Sequence, residues 1–559
     1  MTARSGAILR SDPPSTPSAR RRRPAPVLHR PCACGGRGLN GGVLPEPEPE
    51  LCRLLAEDLH AADFTAGALR EAWGAQADDA IPRGLRGPAL RSLDARSDAL
   101  AVLGRLFVLG VAQPARDVAA AAPRCGVAGI EHLGIAVREG ESIRPLVLVR
   151  PQSFVDAQGE GEWWIASDLD EGALGTALPE EHVLGVGGAS LTLAGLQLPT
   201  PAGFGLDLGS GCGIQALRAR RMVDRVIATD ISERALRFTR LNALLNGIDG
   251  IETRLGSLFE PVSAPTGIAE TFDRIVSNPP FVITPRVTGV PAYEYRDAGM
   301  VGDDLVAAVI HDVGAHLTAG GVAQLLGNWE TLDGIDGLDR VRGWVEASPV
   351  PMDAWVIERE SLDPLAYAEL WVRDGGTVAG TPAFAALVDA WLEDFAARGV
   401  TRIGFGYVLL RRPPSGDGPT LARYERLTGG LADAPLGAHL AASLAAHDTV
   451  VALGDGPAGA SALAEAVLIT APDVTEARHH LPGAEHPSVI ELRQGGGFAR
   501  TVTADPGLAA LVGACDGDLP VGTLIEAIAQ LLEADPAALR AELLPKVREL
   551  VFTGFLGFA

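Results

Sequence analysis

Lysine is almost missing from this sequence. Lys546 is the one lysine among 47 basic residues in a chain of 559. With abundant alanine, glycine and proline, that pattern reflects the codon usage of a GC-rich genome and says little about function. Basic charge is scarce altogether: 70 acidic residues leave a net charge of −23. Eight arginines against one aspartate in residues 1–40 make the rest about seven charges more negative still. Such an acidic body offers no large sequence-independent phosphate-binding surface, although a local basic groove remains compatible with it. Cysteine is sparse and scattered, at Cys32, Cys34, Cys52, Cys125, Cys212 and Cys515. A chain this long needs no disulfides, and the expected compartment is the reducing cytoplasm. Cys32 and Cys34 have no second Cys or His pair at ligand spacing nearby, so no metal site is expected. Long apolar runs are absent too. The best stretch, ALAVLGRLFVLGVAQPA, is short and contains Arg105, which excludes a membrane span. No internal repeat stands at solenoid spacing.

What is present suffices for several cores: 47% of residues are hydrophobic and the mean hydropathy is +0.17. Length alone predicts three or four domains of ~150 residues each. Residues 1–43 are rich in Arg, Pro, Ser and Gly, and read as a disordered tail with no apolar stretch after Arg23 to make a signal peptide. Residues 44–125 repeat apolar positions at three- and four-residue spacing, a small helical module of winged-helix-like character. Residues 126–178 carry the strand-like text SIRPLVLVRPQSF and GEWWIASDL, a small β-rich segment. From 179 to 413 strands and helices alternate, the signature of a doubly wound sheet. The stretch RRPPSGDGP at 411–419 reads as a linker. Beyond it, 420–559 reads as an α+β module with a hairpin at SVIELRQGGGFARTVTA and helices ending in a short strand.

The chemistry concentrates in the middle. FGLDLGSGCGIQALRAR (204–220) is an apolar strand, a tight turn and a helix. Gly209, Gly211 and Gly213 remove side chains where a ligand approaches the backbone. By itself that pattern also fits nicotinamide-binding proteins and many plain turns. The next strand, RVIATD, ends in Asp230, whose carboxylate at the strand tip suits the two hydroxyls of a ribose. ETRLGSLFEPV gives a third strand and FDRIVSNPPF a fourth. HLTAGGVAQLLGNWE gives a glycine turn and a fifth. A special residue at each strand's carboxyl end is the pattern of ligands bound above a doubly wound sheet.

The fourth strand must stop at Pro279 and Pro280, which cannot donate to a ladder. Asn278 is held extended by the proline after it. Its side-chain oxygen and the Pro279 carbonyl together can accept both hydrogens of an –NH2 group, while Phe281 can stack on a planar amide or base. An amide or aryl amine is a poor nucleophile, so transfer to it depends on position and on stabilising developing positive charge.

The series DLGSGCG, ATDIS, LFEP and SNPPF resembles class I S-adenosylmethionine-dependent N-methyltransferases. It is similar to the release-factor glutamine methyltransferases and to the small-domain ribosomal RNA guanine methyltransferases. The resemblance covers under half the chain. It implies a Rossmann-like methyltransferase sheet, with S-adenosylmethionine over Gly209, Gly211 and Gly213, Asp207 near its amino-acid end, and Asp230 and Ile231 at its ribose. Ser257 and Leu258 would lie beside the adenine. Many relatives carry Asp where Ser257 stands, so that contact departs from the family pattern. Asn278, Pro279, Pro280 and Phe281 would hold the methylated nitrogen. The implied partner is a macromolecule and not a membrane: a protein such as a translation factor, methylated on glutamine, or an rRNA or tRNA methylated on an exocyclic amine. A cofactor-binding protein without catalysis is disfavoured by the intact NPPF.

Further features are open at this level. VLGVGGASLTL (183–193) either folds over the methionine part of the cofactor or forms a turn and packing strand. Tyr293, Glu294, Arg296 and Asp297 follow the NPPF and are either pocket or surface residues. His311, His316, His479 and His480 show no metal spacing.

Overall fold

A computed structural model describes residues 44–559 apart from 176, 177, 180, 264–268, 288, 289, 291–298, 415–417, 432–434 and 455. The tail expected over residues 1–43, and Tyr293, Glu294, Arg296 and Asp297, lie outside the described residues.

The centre is an eight-stranded sheet. Its strands are β1 (Ala202–Leu208), β2 (Val223–Asp230), β3 (Ile251–Leu255), β4 (Phe272–Ser277), β5 (Leu317–Leu332), β6 (Asp353–Leu362), β7 (Val400–Arg411) and β8 (Ala422–Arg426). They lie in the order β8-β6-β7-β5-β4-β1-β2-β3. Strands β1 to β5 run parallel, while β7 is antiparallel to both β5 and β6. The central strands are covered on both faces, which is why they read as continuous apolar runs; Leu206, Leu208, Ile275 and Val276 are all buried. The chain fills one side of the sheet through β3 and then crosses to β4. The switch point where ligands bind in such sheets therefore lies between β1 and β4.

Helix α1 (Gly188–Leu196) precedes β1, α2 (Ile214–Ala219) follows it, and α3 (Glu233–Leu245) follows β2. Ser232 caps α3 by accepting the Ala235 N–H. Between β6 and β7 the chain inserts a helical hairpin, α4 (Pro364–Asp374) and α5 (Pro382–Arg398). Asp363 and Thr381 cap its two helices, each with proline in the first turn.

Before the sheet, helices pack with a small antiparallel sheet of Gln113–Pro114, Ser142–Pro145 and Ala136–Glu139. Helix Gly126–His132 lies inside the segment expected to be β-rich. The ribbon Val147–Asp156 with Gly159–Asp168 follows and leans on α3. Two asparagines one turn apart, Asn242 on α3 and Asn246 just past its end, grip this ribbon. Asn246 accepts the Trp164 N–H and donates to its carbonyl, and fully buried Asn242 does the same with Ala166.

The proline-rich stretch after β7 does not end the sheet, contrary to its reading as a linker between modules. Pro413 and Pro414 stop β7, but buried Asp353 at the start of β6 collects the chain again. Its carboxylate accepts the Thr420 and Leu421 N–H groups and pairs with Arg411 at 2.8 Å. So guided, β8 adds as an edge strand beside β6. The C-terminal part packs on that edge. Trp355 meets Phe498 and Phe552, and Arg500 pairs with Glu425. Burial would raise the Glu425 carboxyl, but hydrogen bonds from Arg500 and Arg423 outweigh it and hold the group at about 2.

Among the described residues no helix is long and apolar enough to cross a membrane.

Candidate active site

The carboxyl ends of β1, β2 and β4 meet around a cavity of about 390 Å³, a size typical of small-molecule sites (~300–1,000 Å³). Its floor is the turn after β1. Gly209 and Gly211 have φ of +79° and +53°, and a Cβ on either would meet nothing, because that side faces open space. Only glycine takes this backbone while leaving the space clear. The turn is held from several directions. Thr229 O accepts the N–H groups of Gly209 and Ser210, and Gly211 N–H donates to Asp230 Oδ2 at 2.9 Å. Cys212 O accepts from Asn242 Nδ2 at 2.8 Å.

Gly213 is different. It does not line the cavity, and a Cβ there would stand 2.9 Å from Thr239 Cα. Its missing side chain lets α2 start against α3, a packing requirement rather than the cofactor contact expected from the spacing.

Asp230 sits at the tip of β2 and lines the cavity. Its carboxylate accepts from Gly211 and Ser232 N–H, one per oxygen, which fixes its orientation and leaves further lone pairs for a ligand. Burial raises its pKa against those hydrogen bonds. Asp207, by contrast, is wholly buried and absent from the cavity wall. Its Oδ2 accepts the Ala216 N–H at 2.8 Å, while Oδ1 has no hydrogen-bond partner among the described residues. Burial, with the nearby charge of Asp230 adding, pushes this carboxyl up to about 7 despite the Ala216 bond. The expectation that Asp207 lies at the ligand's amino-acid end is thus replaced by a place beneath the turn.

Ile231, Ser257 and Leu258 all line the cavity. Leu258 holds φ of +47°, a left-handed conformation costly for a branched side chain and found where surroundings impose it. The stretch 183–193 forms one wall as a turn followed by α1, a helix where a packing strand was the alternative. Gln215 fastens it, donating to Ser190 O at 2.7 Å and accepting from Gln197 at 2.9 Å. Residues the sequence did not single out also contribute, among them His182, Met300 and Val309. Burial lowers the His182 pKa against the nearby charge of Asp168, which disfavours the protonated imidazole.

At the end of β4, Ser277 Oγ–H donates to Leu208 O at 2.8 Å, tying the strand end to the turn. Asn278, Pro279 and Pro280 then line the cavity. Asn278 Oδ1 is buried there with no hydrogen-bond partner among the described residues. A buried orphan acceptor costs about 1–3 kcal/mol unless a ligand or water satisfies it. Phe281 departs from expectation: it is not part of the cavity wall but packs, half buried, against three apolar clusters. Three apolar neighbourhoods outbid the lid position for one ring.

The charged groups in the described wall are Glu181 and Asp230, with no Arg or Lys. No group of three or more His, Cys, Asp or Glu side chains among the described residues is placed to hold a metal. His316 instead stacks on Phe259 and bonds the Glu270 carbonyl, His479 pairs with Glu491, and His311 with Asp312.

Comparison with known proteins matches residues 187–292 to the family "Methyltransferase small domain". Residues 61–146 match a domain of unknown function, DUF7059. The release factor glutamine methyltransferase of Deinococcus radiodurans is 30% identical over 218 residues, 36% of this chain and 74% of that protein. That of Aliivibrio fischeri is 40% identical over 79 residues, 14% of this chain and 26% of its own length. A ribosomal protein L11 methyltransferase of Caldicellulosiruptor bescii is 36% identical over 129 residues, 22% of this chain and 38% of its own. In the last two the match spans well under two thirds of the relative.

Proposed function

Because the chain belongs to the family of the release factor glutamine methyltransferases, S-adenosylmethionine-dependent enzymes, we propose that it methylates the side-chain amide nitrogen of a glutamine in a protein, in the cytoplasm. The observation that carries this reading is the unpartnered Asn278 Oδ1 in the cavity wall. It is an acceptor for which the described residues supply no N–H donor.

The cavity fits the cofactor. Gly209 and Gly211 leave an unobstructed floor for its methionine part, Asp230 offers lone pairs to the ribose hydroxyls, and Ile231, Ser257 and Leu258 would flank the adenine. When bound, S-adenosylmethionine supplies an electrophilic methyl on a sulfonium. Asn278 Oδ1 accepts one amide hydrogen and the Pro279 carbonyl the other. Pro279 and Pro280 bring no N–H to compete. Held this way, the amide nitrogen is confined to one approach, and both acceptors strengthen as positive charge grows on it. The proton then leaves a nitrogen made acidic by methylation, so no strong base is needed.

An RNA amine as acceptor gains no support from the wall, whose described residues offer no cation to a nucleotide's phosphate.

The test is methyl transfer from labelled cofactor to fractionated bacterial extract. Label that survives nuclease and is lost to protease supports the amide; the reverse pattern sinks it. Asn278→Ala should cut transfer by about 10²–10³-fold, the usual effect of deleting one positioned transition-state hydrogen bond. Its cofactor affinity should stay within about twofold.

A further inference from the structure

We propose that Tyr367 is a positioning residue for methyl transfer, acting through the main-chain N–H of Ile283 to set where the Asn278–Phe281 segment sits over the cavity. The inference rests on the reading of Asn278 as the acceptor that holds the substrate amide.

Pro279 and Pro280 have no N–H, so the segment that needs the most accurate placement lacks main-chain donors at its centre. Its position must come from its flanks. On one side Ser277 Oγ–H bonds the Leu208 carbonyl at the end of β1, just before the glycine turn. On the other, the buried Ile283 N–H donates to Tyr367 Oη at 3.0 Å. These two bonds bracket the segment.

Tyr367 is built to hold such a bond still. It comes from α4 of the inserted hairpin. The carboxyl end of β6 and the start of β7, which the hairpin joins, pair together beside the carboxyl end of β5, so the insert stands on the ligand side of the sheet. The ring is fully buried, with Trp391, Phe395 and Phe405 centred 6.0, 5.9 and 5.6 Å away. Its hydroxyl oxygen also accepts from Nδ2 of fully buried Asn328, on β5, at 2.8 Å. Val282 and Ile283 pack into the same aromatic cluster. A hydroxyl gripped from the sheet and surrounded by rings has one place to be, and passes that place on to Ile283. Buried hydrogen bonds fix a unique geometry in this way because every displaced geometry leaves a group unsatisfied.

The test compares Tyr367→Phe with Phe395→Leu in the full-length chain. The second variant thins the same cluster without touching the Ile283 bond. Three quantities are read: hydrogen exchange of the peptide covering Phe281–Ile283, calorimetric affinity for S-adenosylmethionine, and kcat and KM for label transfer to the nuclease-treated protein fraction. Tyr367→Phe should speed exchange in that peptide about tenfold and lower kcat about tenfold, the scale of one lost buried hydrogen bond. Cofactor affinity should stay within about twofold. Phe395→Leu, at a comparable loss of melting temperature, should leave exchange and kcat near wild type. Wild-type exchange in Tyr367→Phe, or an equal kcat loss in Phe395→Leu, would overturn the proposal. Should Tyr367→Phe not fold, Asn328→Ala decides: it frees the Tyr367 hydroxyl from the sheet, so it should speed exchange in that peptide and lower kcat by a smaller factor, about threefold, and wild-type exchange and kcat there would overturn the proposal. If wild type labels no protein, the amide reading fails, and the exchange comparison alone then decides the tether.

Discussion

Asn242→Ala should loosen two parts of the molecule at once. The Asn242 side chain is fully buried and makes three hydrogen bonds. Oδ1 accepts the Ala166 N–H at 2.7 Å, and Nδ2 donates to Ala166 O at 2.9 Å and to Cys212 O at 2.8 Å. Alanine leaves one N–H and two carbonyls buried without that partner. At about 1–3 kcal/mol for each unsatisfied group, and allowing for partial relaxation, the loss is about 3–5 kcal/mol. Asn246→Ala is the internal control. It breaks the matching pair of bonds to Trp164, but at a half-buried site where water can substitute, so about 1 kcal/mol is expected. Urea titration followed by tryptophan fluorescence reads both, since Trp163 and Trp164 sit on the gripped ribbon. The two variants should also part in cofactor binding. Cys212 belongs to the cavity floor, so Asn242→Ala should weaken S-adenosylmethionine and Asn246→Ala should not. Equal stability losses, or unchanged cofactor affinity in Asn242→Ala, would refute the reasoning.

The glycine turn should divide by role. Gly213→Ala, driven into Thr239 at φ of +84°, should lower the melting temperature by several degrees, whereas Gly211→Ala should chiefly weaken calorimetric cofactor binding. A reversed pattern would reject the division. Asp207 links stability to pH. Its carboxyl titrates at about 7 when folded against 3.8 unfolded, so the folded state keeps a proton that the unfolded chain releases between those values. The stability it contributes is whole below pH ~3.8 and is lost as pH rises to about 7, roughly 4 kcal/mol at ~1.36 kcal/mol per unit. Asp207→Asn, which can still accept from Ala216, should flatten that slope and be the more stable form above pH 7. Parallel urea midpoints from pH 4 to 8 would contradict this.

The strands and the glycine turn were legible because their signals are local. A doubly covered strand is an apolar run, and a positive-φ turn needs glycine within a few positions. Gly213 looked like its neighbours because the backbone demand is the same; only the approach of Thr239, in another helix, separates packing from ligand contact. Phe281 was misplaced because NPPF says nothing of the three clusters that compete for its ring. Asn242 and Asn246 gave a helical spacing of four, but their partners lie about 80 residues earlier, on a ribbon whose register no short motif fixes. The reach of β8 past the prolines depended likewise on Asp353, a single buried carboxylate distant in sequence.

That late edge strand bears on how the chain comes off the ribosome. The cofactor floor and the NPPF segment are complete by residue 281, yet the sheet beneath them gains its last strand only when Arg426 has emerged. At ~5–20 residues per second, close to 150 further residues leave the nascent sheet incomplete for about 7–30 s, and β6, made by Leu362, waits about 3–13 s of that for the strand that covers its edge. Residues 420–426 then act as a closing stitch. A chain released before them would carry every group of the cavity wall and still present an unpaired strand to its neighbours.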